Sequence, residues 1–209
     1  MKKRLWVLSL LILTAVIISA CNPTPAYPNQ PAVESEPMME GTQEEPQPAD
    51  EAGPALAPGF LPLWFSIEMT DVNTGMVFTV SDFQGKVVLV ETMAVWCPTC
   101  LRQQNEMDAL LRNLGNPEDL IALSIDTDPN EDVPLLTNHV KNNDFGWLFA
   151  IAPKEVNDQI AELYGAQFLN PPSTPMLVID RQGGAHILPF GLKSAADLES
   201  AVQPFLDEG

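Results

Sequence analysis

The chain has 209 residues, a formal charge of −18, 45 % apolar residues and three cysteines. This length allows one ordinary domain with additional segments. Residues 60–209 carry 21 acidic and 7 basic side chains, so their surface is strongly solvated and poor in the lysines and arginines that nucleic-acid phosphates require. We therefore expect no nucleic-acid partner.

The N-terminus, MKKRLWVLSLLILTAVIISAC, has the layout of a secretory signal peptide. Three cations precede an apolar run of 16 residues (5–20), which is shorter than the ~20 residues of a transmembrane helix. The end of the run, ISAC, resembles the lipobox of bacterial lipoproteins, which implies that Cys21 is lipidated and begins the mature chain. We predict a signal peptide over residues 1–20, with a retained signal anchor, or ordinary cleavage beside an incidental cysteine, as the alternatives.

The segment after Cys21 lacks the composition of a folded domain. Residues 22–59 contain nine prolines, seven acids, no bases and one aromatic residue, without apolar periodicity. Such a segment cannot bury enough apolar surface to offset the entropy of ordering it. We predict that residues 21–59 form a lipidated, disordered tether to a domain over residues 60–209.

From residue 60 onward, segments typical of strands and helices alternate. LWFSIEMT and MVFTV flank the turn-rich DVNTG and predict a hairpin, and the run KVVLVET predicts a strand buried on both faces. An apolar stripe predicts a helix over residues 98–114, which Gly115, Asn116 and Pro117 end.

The alternation continues to the end of the chain. DLIALSIDTD, GWLFAIA, PMLVID and AHILPF predict strands. EDVPLLTNHVKNND, PKEVNDQIAELYG and SAADLESAVQPFL predict helices, the last with Ser194 as its N-cap. Because the turn RQGG joins two of the strands, we predict an α/β fold with a central mixed β-sheet, helices on both faces and an N-terminal β-hairpin.

The stretch AVWCPTCLRQ places two of the three cysteines where a buried strand gives way to a helix. Pro98 fits the first helical position, and the helix N-terminus offers unpaired N–H donors and a partial positive charge. A thiolate on Cys97 is stabilised there, and Cys100 is close enough to attack a mixed disulfide. The spacing predicts a redox-active disulfide between Cys97 and Cys100 that uses no organic cofactor and no metal.

Other interpretations of the cysteine pair remain open. A zinc site needs four ligands, and only His139 and His186 are available besides the pair, without ligand spacing and expected at the surface or near strand ends. A structural disulfide more usually joins distant segments. The main rival is a metallochaperone-like protein that binds copper(I) through the thiols, and a second rival is a redox-inactive scaffold.

KVVLVETMAVWCPTC and STPMLVIDRQGG resemble the thioredoxin superfamily, most closely its extracytoplasmic TlpA- and ResA-like thiol–disulfide oxidoreductases. The resemblance covers about residues 60–209 and implies a thioredoxin-like fold. It also implies that Pro175 is a cis-proline facing the disulfide and that Thr174 offers its backbone to a substrate peptide; without the cysteines, a trans proline at a strand start would be preferred. Trp96 is expected either to cover the disulfide, as part of the substrate site, or only to pack.

One acid, Glu91, interrupts the apolar strand six residues before Cys97, where thioredoxin has a buried acid. A carboxyl held neutral by burial would accept or supply the proton of Cys100, whereas the alternative is a carboxylate at a strand edge facing water. Two positions depart from the family. Gln103 stands where many relatives have a glutamate, and Met93 stands where an aromatic residue is common, which limits any transfer of substrate or pH behaviour.

These observations predict a lipoprotein, tethered to the extracytoplasmic face of a bacterial membrane, that exchanges dithiol for disulfide with client proteins. Cys97 is expected to attack, Cys100 to resolve and Glu91 to relay protons. The resemblance implies clients such as apocytochromes c or copper-site assembly proteins, and an upstream thiol donor in the membrane. Because the Pro-Thr pair brings neither a histidine nor a cation to Cys97, a reductant is favoured over a strong oxidant.

Overall fold

Strands and helices alternate through residues 61–208, the part of the chain that the computed structural model describes. The strands are β1 (Met69–Thr70), β2 (Val77–Phe78), β3 (Val87–Met93), β4 (Leu120–Asp126), β5 (Leu148–Ile151), β6 (Met176–Ile179) and β7 (Ala185–Ile187). The α-helices are α1 (Pro98–Asn113), α2 (Val133–Asn143), α3 (Lys154–Tyr164) and α4 (Ala195–Asp207).

Five of these strands form one mixed sheet in the order β5-β4-β3-β6-β7. Strand β3 is central; it runs parallel to β4, which in turn runs parallel to β5. On its other side β3 pairs antiparallel with β6, which pairs antiparallel with β7. The predicted α/β class with a mixed sheet is therefore confirmed.

The side chains of β3 alternate between two apolar layers. Leu89 and Met93 pack on the face covered by α1, α2 and α4, whereas Val88 and Val90 pack on the face covered by α3 and the segment that begins at residue 61. Helices thus cover both faces, as predicted. By the same alternation, Glu91 projects toward the face of α1.

The N-terminal hairpin is present but shorter than predicted. Strands β1 and β2 pair antiparallel, with Met69 opposite Phe78. The preceding Leu63–Ser66 forms a 3₁₀ helix instead of extending the strand. Trp64 and Phe65 are neighbours in sequence and are both buried, an arrangement that the alternation of a strand facing one core would not allow.

The later elements agree with the sequence pattern in type and approximate position. Ser194 caps α4 through a reciprocal pair of hydrogen bonds with Asp197. Strand β7 ends at Ile187, before Pro189, which has no N–H to donate to a ladder. No helix within residues 61–208 is long and apolar enough to span a bilayer. The predicted signal peptide, Cys21 and the predicted tether lie outside the described residues.

Candidate active site

Cys97 and Cys100 are joined by a disulfide at the N-terminus of α1, with their Cα atoms 5.3 Å apart. Cys97 is the N-cap residue, and Pro98 takes the first helical position, where its missing N–H leaves no bond unmade. The backbone N–H of Cys100 points at the Cys97 sulfur, at an N–Sγ distance of 3.1 Å. This donor stabilises negative charge on Cys97 when the disulfide is reduced.

The two sulfurs are both buried, so exposure does not distinguish them, but their partners do. Cys100 Sγ lies 3.3 Å from the carbonyl oxygen of Pro171, a group that accepts a hydrogen bond from a thiol and repels a thiolate. Cys97 Sγ meets an N–H donor instead. The geometry therefore favours a thiolate on Cys97 and a protonated thiol on Cys100.

Two acidic side chains hold the loop that leads from β3 to Cys97. The Glu131 carboxylate accepts the backbone N–H groups of Val95, at 2.8 Å, and Trp96, at 3.3 Å. The Trp96 indole donates its Nε1–H to Asp128 Oδ2 at 2.7 Å. This hydrogen bond fixes the edge of the indole, although Trp96 is 56 % exposed. Trp96 therefore presents an apolar ring to solvent directly before Cys97 in the sequence.

Asp126, at the end of β4, adds a buried carboxyl to this acidic region. Its Oδ1 accepts the N–H of Asp128, and its Oδ2 has no hydrogen-bond partner among residues 61–208. Burial, and then the nearby Glu131, raises the pKa of Asp126 to about 8. The N–H of Asn130, followed by the Trp96 indole, lowers the pKa of Asp128. Negative charge on Asp128 therefore lies beside the loop before the cysteines.

Glu91 is completely buried, which excludes the alternative of a carboxylate facing water. It lies between Ser124 on β4 and Met176 on β6 in the sheet. Ser124 Oγ donates to Glu91 Oε2 at 3.0 Å, while Oε1 has no partner among the described residues. Burial raises the pKa of Glu91 to about 8, although neighbouring polar groups act in the opposite direction. This value is close to the ordinary pKa of a thiol.

A series of polar side chains surrounds the Glu91 carboxyl. Trp147 Nε1 donates to Ser124 Oγ at 3.0 Å on one side. On the other side lies Gln104 of α1, whose Oε1 is 2.7 Å from His139 Nε2 on α2. The expectation that His139 lies at the surface or near a strand end is wrong, because Gln104 satisfies the ring in the interior. Burial lowers the pKa of His139.

The loop that carries Thr174 and Pro175 precedes β6. Thr174 is buried and left-handed, with φ 45° and ψ 60°. Its N–H donates to Pro171 O at 2.8 Å, and its carbonyl accepts from Lys193 Nζ at 2.8 Å. No peptide bond within residues 61–208 is cis, so the implied cis bond before Pro175 is not found. The left-handed turn at Thr174 instead directs the chain into β6 through a trans bond, and the Pro175 carbonyl accepts the Thr92 N–H.

Gln103, one of the two departures from the family pattern, has a defined partner. Its Nε2 donates to the Lys193 carbonyl at 3.0 Å, and its Oε1 accepts the Lys193 N–H at 2.8 Å. An amide serves both bonds, whereas an ionised carboxylate only accepts. Lys193 is the residue of this region that the sequence did not reveal. Its partners Gln103 and Thr174 are 90 and 19 positions away in the sequence, and a lysine after Gly191 and Leu192 is typical of a surface loop.

The histidines do not join the cysteines. His186, on β7, bonds Asp180 Oδ2 through Nε2 at 2.7 Å, and His139 bonds Gln104. Within the described part of the chain, no cluster of three or more His, Cys, Asp and Glu side chains is arranged to hold a metal ion. The described residues therefore offer no histidine to complete a zinc or copper site at the pair.

This fold and this cysteine pair define a thioredoxin-like thiol–disulfide oxidoreductase. Residues 50–184 match the family Redoxin, and the chain belongs to that family.

Three solved structures illustrate the shared fold. A thioredoxin-family thiol:disulfide interchange protein from Chlorobium tepidum is 21 % identical, with a TM-score of 0.54 and a match over 72 % of this chain and 97 % of that one. The thioredoxin domain of a Bacteroides vulgatus thiol-disulfide oxidoreductase is 20 % identical (TM-score 0.54; 72 % and 99 % covered). A secreted Mycobacterium tuberculosis disulfide oxidoreductase is 17 % identical (TM-score 0.53; 67 % and 96 % covered).

Proposed function

We propose that this protein reduces disulfides in client proteins on the extracytoplasmic face of a bacterial membrane, to which Cys21 anchors it. The observation that carries the proposal is the unequal environment of the two sulfurs. Cys97 receives the N–H of Cys100, while Cys100 lies against the Pro171 carbonyl. One cysteine is thereby suited to attack as a thiolate and the other to wait as a thiol.

The reduction of a client proceeds in two exchange steps. The Cys97 thiolate attacks one sulfur of the client disulfide, a mixed disulfide forms, and the other client sulfur leaves as a thiolate that takes up a proton. Cys100 then loses its proton and attacks Cys97 Sγ, which releases the second client sulfur. Two electrons pass from the Cys97–Cys100 dithiol to the client, and an upstream thiol donor restores the dithiol.

Glu91 is the proposed acceptor of the Cys100 proton. It projects toward the face of the sheet that α1 covers, and its Oε1 is without a hydrogen-bond partner in the described structure. A pKa of about 8 is close to the ordinary pKa of a thiol, which suits a carboxyl that takes up and returns a proton near neutral pH. The same carboxyl, when protonated, returns the proton in the reverse reaction.

Exposed apolar side chains support recognition of a client around the pair. Trp96 is exposed beside Cys97, and Phe190 and Leu192 are exposed in the loop whose Gly191 N–H bonds the Ser173 carbonyl, next to Thr174. Phe190 is steadied by an edge-to-face contact with Phe168, whose ring centroid is 5.7 Å away. By resemblance, the clients include apocytochromes c or copper-site assembly proteins.

The charges near Cys97 support the reducing direction. Strong oxidants owe their high potential to a stabilised thiolate in the reduced form. Here no lysine or arginine of the described residues hydrogen-bonds to either sulfur, and Asp128 and Glu131 hold the loop before Cys97. Negative charge at that place disfavours the thiolate and so favours the disulfide form of this protein, which is the property of a reductant.

Trapping of the mixed disulfide tests the proposed function. In a Cys100→Ser variant the second step cannot occur, so we expect a covalent, dithiothreitol-sensitive adduct with a client through Cys97. Cys97→Ser is the matched control and should trap nothing. Adducts in the control alone would reverse the roles of the two cysteines, and a wild-type protein that reduces no protein disulfide would refute the function.

The anchor needs a separate test because it lies outside the described residues. Mass spectrometry of protein extracted from membranes should give a mature chain that begins at an acylated Cys21. A Cys21→Ser variant should appear in the soluble fraction. An unmodified chain that begins elsewhere would refute the lipid anchor without affecting the exchange chemistry.

A further inference from the structure

Lys193, in the loop before α4, is a lysine with only 7 % of its surface exposed, which is rare for this residue type. Its Nζ donates to three backbone carbonyl oxygens, those of Thr174 (2.8 Å), Pro189 (3.0 Å) and Gly191 (2.5 Å). An ammonium group has three donors, and each of them finds an acceptor here. The side chain is therefore held in one position by the backbone around it.

The main chain of Lys193 is attached to the helix of the cysteines. Both of its polar groups pair with the Gln103 side chain on α1. Because Gln103 follows Cys100 by three positions, one residue connects the helix that carries the cysteines with the loop that carries Thr174 and Pro175. Separation of the helix and the loop would break hydrogen bonds on both sides of Lys193.

The charge of Lys193 acts on the buried Glu91. Burial lowers the pKa of Lys193 to about 8, and the attraction of Glu91 opposes that effect. In turn, Lys193 lowers the pKa of Glu91 against the effect of burial. Each ionised group thus supports the charged form of the other in an interior where an isolated charge is costly.

The other groups around the two residues do not replace this cation. Gln103 and Gln104 of α1, Ser124 of β4 and Met176 of β6 are neutral, and the His139 ring of α2 bonds Gln104 and not Glu91. At the start of α4, Glu106 accepts the Ala195 N–H and Asp197 accepts the Ser194 N–H. Lys193 is the cation among the described residues whose charge acts on the pKa of Glu91.

We propose that Lys193 is a positioning residue of the exchange reaction: it holds the Thr174 loop against α1 and supplies the positive charge that lets Glu91 take the Cys100 proton. This inference rests on the proposed function, since it concerns the same proton transfer. When the Cys100 thiol gives its proton to ionised Glu91, the carboxyl becomes neutral and the new thiolate attacks Cys97 Sγ. Lys193 carries its positive charge below its pKa of about 8, takes no part in the proton transfer itself and acts only through Glu91 and Thr174.

The test uses the full-length reduced protein and a peptide that contains one disulfide, with the rate of release of both peptide thiols measured from pH 6 to pH 9. The rate of thiol release should rise with pH as Glu91 ionises. Loss of the cation raises the pKa of Glu91, so this rise should move to higher pH. We expect a shift of at least about half a pH unit in Lys193→Gln and Lys193→Met. Lys193→Arg, which keeps the charge, should restore the wild-type profile.

Lys193→Met also loses the bonds to the Thr174 loop, so its KM for the peptide should rise severalfold. The matched control is Lys86→Met, because Lys86 Nζ also donates to a backbone carbonyl, that of Glu118, at the opposite end of β3. Lys86→Met should keep both the pH profile and the KM of wild type. If Lys193→Met destabilises the fold, Lys193→Gln still reports the effect of the charge.

A wild-type pH profile in both Lys193→Gln and Lys193→Met would overturn the inference. A pH shift of unchanged size when either variant is combined with Glu91→Gln would also overturn it, because Glu91→Gln removes the carboxyl on which the charge acts. An unchanged KM in Lys193→Met would overturn the part that concerns the loop. The proposed function fails differently, namely if the wild-type protein releases no peptide thiols. If wild type is active and Glu91→Gln slows it while the Lys193 variants do not, the role of Lys193 fails alone.

Discussion

The face of the sheet that packs against α3 is almost entirely apolar, whereas the face that packs against α1 and α4 contains two buried carboxyls, a buried lysine and two buried glutamine amides. Strand β3 contributes side chains to both faces. Val88 and Val90 face α3, while Glu91 interrupts the apolar side chains that face α1. The comparison indicates that both faces contribute an apolar core, whereas the buried polar groups of the proposed chemistry lie on the face of α1.

The largest effect on activity should follow from Cys97→Ser on the polar face. Removal of the nucleophile should reduce disulfide exchange to the level of the uncatalysed reaction, because Cys100 lies against the Pro171 carbonyl, which disfavours its thiolate. Reduction of a model protein disulfide would be followed by thiol release. Substantial residual exchange in Cys97→Ser, but not in Cys100→Ser, would contradict the assignment of the attacking sulfur.

The apolar face should respond to Ile160→Ala in stability alone. Ile160 is buried on α3, and truncation to alanine should lower the free energy of unfolding by about 2–5 kcal/mol. The exchange rate of the folded protein should stay at the wild-type value, because the cavity opens on the side of the sheet opposite Glu91. Urea unfolding and thiol release measure the two quantities. A changed pH profile of exchange would show that the faces are not independent.

Glu91→Gln should slow exchange at neutral pH by about 10- to 100-fold, because an amide keeps the shape of the side chain but cannot carry the proton. The Ser124 hydroxyl can still donate to the amide oxygen, so the fold should be retained. Stopped-flow measurement of disulfide reduction from pH 6 to pH 8 checks the rate. Rates equal to wild type over that range would reduce Glu91 to a structural role.

The free energy of unfolding should also depend on pH. An acid whose pKa rises from 4.5 in the unfolded chain to about 8 in the folded protein holds its proton more tightly when folded, so stability falls as pH increases between those values. The free energy of unfolding of wild type should therefore decrease from pH 5 to pH 8. Glu91→Gln should remove part of this decrease. Asp126→Asn should remove another part, because the pKa of Asp126 is also raised. Identical slopes in Glu91→Gln and wild type would contradict the neutral, buried carboxyl.

The parts of this site that were predictable from the sequence are the local ones. The apolar run of β3, Pro98 after the N-cap Cys97, and Ser194 before α4 each follow from a few consecutive residues. The sequence allowed two interpretations of Glu91, a buried carboxyl or a carboxylate at a strand edge facing water, and in the structure Glu91 is buried.

The contacts between residues that are distant in the chain could not be predicted from the sequence in this way. The contact of Gln103 with Lys193 joins residues 90 positions apart, and neither residue carries a local signal of burial. His139 lies on an amphipathic helix, where a histidine is usually expected to face solvent, and only the distant Gln104 explains its position. The expected cis bond at Pro175 came from the family resemblance alone, and here the left-handed Thr174 takes the chain through that position with a trans bond.

The reduction potential of the Cys97–Cys100 pair tests the central claim most directly. The protein would be equilibrated with glutathione buffers of known ratio and the dithiol fraction measured by alkylation. The acids beside the loop before Cys97, and the lack of a basic partner to either sulfur among residues 61–208, predict a potential below roughly −200 mV, between glutaredoxin-like and thioredoxin-like values. A potential above about −150 mV, in the range of strong oxidants, would contradict the reducing role and leave only the exchange chemistry.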